Sequence, residues 1–169
     1  MIFVCEQMKR ELCFLGEHIP VLLLSAFLAA AGGVVLWISG GSSWYFIRTA
    51  SGSGVGLGFI FSVWILTYAL VGALMALLWL TYSGGRRDFR KTMPLFVLVT
   101  LSYLFMLVWY ALFFCTRLAV FSAVILILSC IIDAVVFFFM RKSFLLFDCA
   151  LAVVFAVQTY FVYFSFSFS

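Results

Sequence analysis

The stretch LAVFSAVILILSCIIDAVVFFFM, Leu118 to Met140, lies between Arg117 and Arg141 and carries one charged residue, Asp133. A bilayer core takes about 20 mainly apolar residues per helix. A membrane-barrel strand would instead alternate apolar and polar side chains over about 10 residues, and Leu118 to Leu128 does not alternate. This stretch is therefore expected to be a transmembrane helix. Outward from it the chain offers four more, Ile19 to Ile38, Val55 to Leu80, Met93 to Phe114 and Phe144 to Phe168. The expected fold is all-α, one integral membrane bundle of five transmembrane helices over residues 1–169, with a lid-like loop at 39–54 as the longest connection.

Composition agrees. Of the 169 residues 67% are apolar and 9% charged, against roughly 45–50% and about 25% in a soluble domain. No water-soluble fold of this size hides so much apolar surface, so the lipid bilayer is the chief partner. The first apolar stretch follows Lys9 and Arg10 as a signal peptide would, but no small-residue cleavage site closes it before Trp37. It is expected to remain as a helix.

The net charge of +4 would suggest nucleic acid in a soluble protein. Here Lys9 and Arg10, then Arg86, Arg87, Arg90 and Lys91, then Arg141 and Lys142 flank the spans and fall on one side of a five-span chain. The positive-inside rule puts that side, and the N-terminus, in the cytoplasm, and no nucleic-acid partner is expected. Cys5, Cys13, Cys115, Cys130 and Cys149 show no CxxC pair and read as small apolar packing residues.

No catalytic set assembles from the sequence. It contains one histidine, His18, no HExxH and no Ser/His/Asp group, so no catalytic residue, metal ligand or cofactor is assigned. His18 reads as an interfacial residue, with a haem-ligand role as the alternative. The run Gly52 to Gly58 fits neither GxGxxG nor the P-loop pattern and reads as flexible chain or close helix approach. Asp133 is the one acid deep inside a span, where an isolated charge costs about 2.5–3.5 kcal/mol on insertion scales. It is expected to face the bundle interior, either hydrogen-bonded to Ser129 or Ser102 or serving a proton relay or ligand. Asp148 lies near a helix start, which the helix dipole favours.

In the second helix Trp64, Tyr68, Gly72, Ala76 and Trp79 recur at helical spacing, with rings toward the ends and small residues between. Met106, Trp109, Tyr110 and Phe113 make a comparable face on the third. Such faces serve as core packing or as the wall of a ligand cavity.

These residues resemble the translocator protein/tryptophan-rich sensory protein (TspO) family. Ser43-Trp44-Tyr45, then Phe61, Trp64, Leu66-Thr67-Tyr68, Gly72 and Trp79 match its W-Y and W-x-x-x-Y pattern, with the register from Trp44 to Tyr68 unbroken. Trp109 with Phe113-Phe114 is similar to its N-x-x-W-x-x-x-F-F, and Gln158 stands where its last helix has asparagine. The departures are plain. The family's P-x-W-x-P-P falls on Ser51, Ser53, Val55 and Gly56, its helix-three asparagine on Met106, and its P-Y-x-x-W on Leu146, Phe147 and Ala150.

The resemblance implies a five-helix bundle, often dimeric, that holds porphyrins, sterols or benzodiazepine-like molecules in a cavity beneath the first loop. It implies a receptor or carrier used for transport, scavenging or sensing, with a porphyrin or tetrapyrrole as the ligand and a homodimer as the assembly. The cavity would be lined by Tyr45, Trp64, Tyr68, Trp109, Ala150 and Gln158, with Asp133 a possible polar anchor. A glycine-rich lid in place of the proline-stiffened one implies weaker binding. The expected location is a bacterial plasma membrane, or the mitochondrial outer membrane in a eukaryote. The alternatives are a membrane enzyme that degrades porphyrin, against which Ala150 replaces the family's tryptophan, and a ligand-free structural or accessory subunit.

Overall fold

Hydrocarbon offers no partner for backbone N–H and C=O groups, so apolar segments of this length satisfy them internally as helices. The computed structural model describes residues 2–39, 57–83, 89–140 and 145–167. Its helices are α1 (Ile2–Ser39), α2 (Leu57–Ser83), α3 (Phe89–Tyr110), α4 (Ala119–Met140) and α5 (Leu145–Ser167). Among the described residues five helices are long and apolar enough to cross a membrane, at Cys13–Val35, Gly58–Tyr82, Thr92–Cys115, Ala119–Met140 and Phe147–Phe166. The chain is an all-α, multi-pass membrane bundle. The lid-like loop falls, beyond Ser39, outside the described residues, as does Tyr45 with the rest of the Ser43 to Gly56 pattern.

Four helices begin and end close to the expected bounds, and α1 does not. The helix was expected to start at Ile19, whereas it runs from Ile2 through Pro20. Proline removes one N–H and crowds the carbonyl four residues back. That residue is Gly16, and membrane helices tolerate such interruptions. His18 accordingly lies within the helix, where Nδ1 donates to the Phe14 carbonyl at 2.9 Å. Its ring packs on Phe14 at 4.6 Å between centroids.

Packing centres on α2. In its most apolar window 56% of the residues are buried, against 6% in α1 and 33% in each of the other three. Thus α2 is the core helix and α1 a peripheral one, held mainly by α2. On the other side α4 packs against both α3 and α5, each of which also touches α2. The short connection after Cys115 makes α3 and α4 neighbours, with Arg117 in the left-handed region at φ 61°. Before it the last turn of α3 widens into a π-helix, Ala111–Cys115, in which Phe113 and Phe114 are both buried.

Positions four apart drift by about 40° per step on a helix of 3.6 residues per turn. The face of α2 therefore rotates along its length. Trp64 and Tyr68 point to the interior, while Gly72 meets α1, where an added Cβ would lie 2.6 Å from both the Ala29 Cβ and the Ser25 carbonyl oxygen. Trp79, expected on the same face, is 52% exposed. It packs instead on Tyr82 and Phe96, at 5.7 and 6.3 Å.

Candidate functional site

Two features occupy the interior, and the expected site residues divide between them. The first is aromatic. Trp64, Tyr68 and Trp109 are all buried and come together, but onto one another. The Trp64 ring lies 4.3 Å from Trp109 and 4.6 Å from Phe161. Trp109 in turn stacks on Phe113 at 5.4 Å with the planes 13° apart. Their polar atoms are also satisfied within the bundle. Trp64 Nε1 donates to the Tyr68 hydroxyl at 2.8 Å, which donates to the Met106 carbonyl at 3.1 Å. Trp109 Nε1 donates to Ser165 Oγ at 2.9 Å. Ser165, in the last turn of α5, was not singled out from the sequence. A buried serine one turn beyond Phe161 is what a buried indole N–H requires.

The second feature is polar and spans α3, α4 and α5. Asp133 is 2% exposed, and its carboxyl group accepts hydrogen bonds from the side chains of Ser102 and Gln158. The expected bond to Ser102 is thus present. The other expected partner, Ser129, stands one step away. Its hydroxyl is 2.8 Å from Ser102 Oγ and 3.2 Å from the Ser102 carbonyl oxygen, and it accepts from Gln158 Nε2 at 3.1 Å. A hydroxyl has one proton and an amide nitrogen two. One assignment uses every donor: Gln158 gives to Asp133 and Ser129, Ser129 gives to Ser102, and Ser102 gives to Asp133. The network converges on the carboxyl group.

Two acceptors are left over. Asp133 Oδ2 and Gln158 Oε1 are buried without a hydrogen-bond partner among the described residues. No lysine or arginine occurs within the spans Thr92–Cys115, Ala119–Met140 or Phe147–Phe166 to pair with Asp133.

Beside this network the seam between α4 and α5 is open. A groove of about 270 Å³ is lined by Asp133, Ala134 and Phe137 from α4 and by Leu151, Ala152 and Phe155 from α5. A second groove, about 290 Å³, continues along the seam, sharing Ala134 and Phe155 and adding Cys130 and Thr159. The two alanines cause the gap, since each offers one methyl group where Phe137 and Phe155 stand out on either side. Ala134, Ala152, Phe137 and Phe155 are all exposed on the outer face, so the groove opens toward lipid. Ala150 is part-buried against the core, on the same helix but outside the groove lining.

Comparison with known families, with curated proteins and with solved structures returns no match to this chain.

Proposed function

We propose that this chain is a membrane receptor or carrier for an apolar small molecule, of the kind the TspO resemblance implies. We place its ligand in the α4/α5 seam, with Asp133 as polar anchor. The observation that carries this is the groove itself: two adjoining volumes of about 270 and 290 Å³, almost wholly apolar, with one buried acid whose second oxygen lacks a donor. Small-molecule sites are apolar clefts of about 300–1,000 Å³ with a few placed polar groups. The aromatic cluster supports the placement from the other side. Trp64, Tyr68 and Trp109 already have their ring neighbours and their hydrogen bonds, so a ligand there would first have to separate them.

A tetrapyrrole is the first ligand to test, since a flat macrocycle gains from apolar burial. Protoporphyrin IX is titrated into the purified protein and its Soret band followed. We expect a saturable shift that Ala134→Phe, which fills the part shared by both grooves, weakens at least about tenfold. Trp64→Phe should change it little. A shift lost in Trp64→Phe and kept in Ala134→Phe would place the ligand among the rings. No saturable shift at all would remove tetrapyrroles from the proposal.

A further inference from the structure

The seam holds more chemical information than its apolar lining. Three facts bear on what its occupant carries. Asp133 is buried, its Oδ2 has no donor, and Gln158, whose amide N–H reaches the same carboxyl group, has an unpartnered Oε1 of its own. Nothing but acceptors is left over in this network, and Asp133, the one of the two residues that lines the groove, calls for a donor there.

Charge narrows the complement further. Hydrocarbon makes a carboxylate without a counter-ion costly. The surrounding spans supply no lysine or arginine. A neutral N–H would meet one acceptor and leave the charge. An alkylammonium brings N–H donors and a positive charge together, enough for the free oxygen and for the charge of the carboxylate. Phe137 and Phe155, which line the same groove, add aromatic rings on which a cation is favourably placed. The Ala134 and Ala152 gap takes the apolar part.

We propose that the α4/α5 seam binds lipophilic amines as ammonium ions, the cation seated on Asp133 Oδ2 and the apolar body along Ala134, Ala152 and the two phenylalanines. This rests on the seam being the ligand site. Asp133 lies seven residues before the end of α4, about 10 Å along the helix. A lipid headgroup amine and a free lipophilic amine share this chemistry, and the experiment separates them.

The probe is monodansylcadaverine, a fluorescent primary amine, compared with its N-acetyl derivative, which keeps the dansyl body and loses the charge. Both are titrated by fluorescence anisotropy into protein in maltoside micelles free of lipid amines. The expected result is saturable binding of the amine at least about tenfold tighter than the amide, a difference that Asp133→Asn abolishes and Asp133→Glu largely keeps. Ala152→Phe should weaken both probes. If amine and amide bind equally and Ala152→Phe removes both, the amine proposal falls and the seam remains a ligand site. If neither probe binds above the Ala152→Phe baseline, both proposals fall. Displacement by added phosphatidylethanolamine but not phosphatidylcholine assigns the site to a headgroup amine, and no displacement assigns it to a free one. The comparison of two probes on the unaltered protein stands even where a variant fails to fold.

Discussion

Replacing Gly72 with alanine tests the core of the packing. The added Cβ would lie 2.6 Å from the Ala29 Cβ, 2.6 Å from the Ser25 carbonyl oxygen and 3.1 Å from the Ser25 carbonyl carbon. Carbon atoms pack at about 3.5–4.0 Å, so α1 would have to withdraw by about 1 Å. The neighbours cannot yield alone, since two of the three atoms are backbone and the third is a Cβ. A gap of that size forfeits about a quarter to a half of each contact's attraction along the α1/α2 seam. It also stretches the hydrogen bond from the Tyr103 hydroxyl to the Ala29 carbonyl, now 3.0 Å.

Overpacking of this kind costs about 1–3 kcal/mol. At about 2–4 °C per kcal/mol for a chain of this length, the unfolding midpoint should fall by roughly 2–12 °C. Gly16→Ala and Gly58→Ala are the controls, since an added Cβ meets nothing within 4 Å at either place. Each should be neutral or stabilising by up to about 1 kcal/mol. The assay is thermal unfolding in detergent, followed by a thiol-reactive dye at Cys130, the half-buried cysteine, with the other four cysteines replaced. If Gly72→Ala is as stable as Gly58→Ala, then α1 does not rest on α2 as described and the reasoning fails.

Trp64→Phe should cost about 1–2 kcal/mol in the same assay, because it removes the indole donor to Tyr68 while leaving the ring contacts largely in place. Ser129→Ala leaves a Gln158 N–H unpaired, and its cost should be about 0.6 kcal/mol, the average for polar pairs inside a membrane protein, and no more than about 1.7 kcal/mol. The double variant with Ser102→Ala should cost less than the sum of the two singles, because both belong to one network. From the placement of Lys9, Arg10, Arg141 and Lys142 we expect reporter fusions to put the N-terminus in the cytoplasm and the C-terminus outside. A cytoplasmic C-terminus would reverse that orientation or change the number of crossings.

The five spans were legible because lipid imposes one rule on every residue of a span, and each of the last four runs begins close to a charge, glycine or proline. The start of α1 was not, because Glu17, His18 and Pro20 imitate a helix entrance while the helix continues to Ile2. The Asp133 to Ser102 bond was legible for a related reason. Where polar residues are scarce, few partners can be meant, and a buried acid must take one. Trp79 turned outward because one helix's periodicity does not say where its neighbours end. Ser165 was overlooked since its role depends on Trp109 arriving from another helix. The seam was hidden for the same reason. Ala134 and Ala152 are unremarkable alone and make a groove only when α4 and α5 set them opposite each other. Ring-rich faces of Trp64, Tyr68 and Trp109 look alike in sequence whether they enclose a ligand or one another.

Photolabelling tests the placement of the ligand most directly. An alkylamine carrying an aliphatic diazirine is irradiated with the intact protein, and the modified peptides are mapped by mass spectrometry. Adducts are expected on α4 around Ala134 and Phe137 and on α5 around Leu151 to Phe155, suppressed by excess unlabelled amine. Adducts confined to the segments holding Trp64 and Trp109, equally competed, would contradict it.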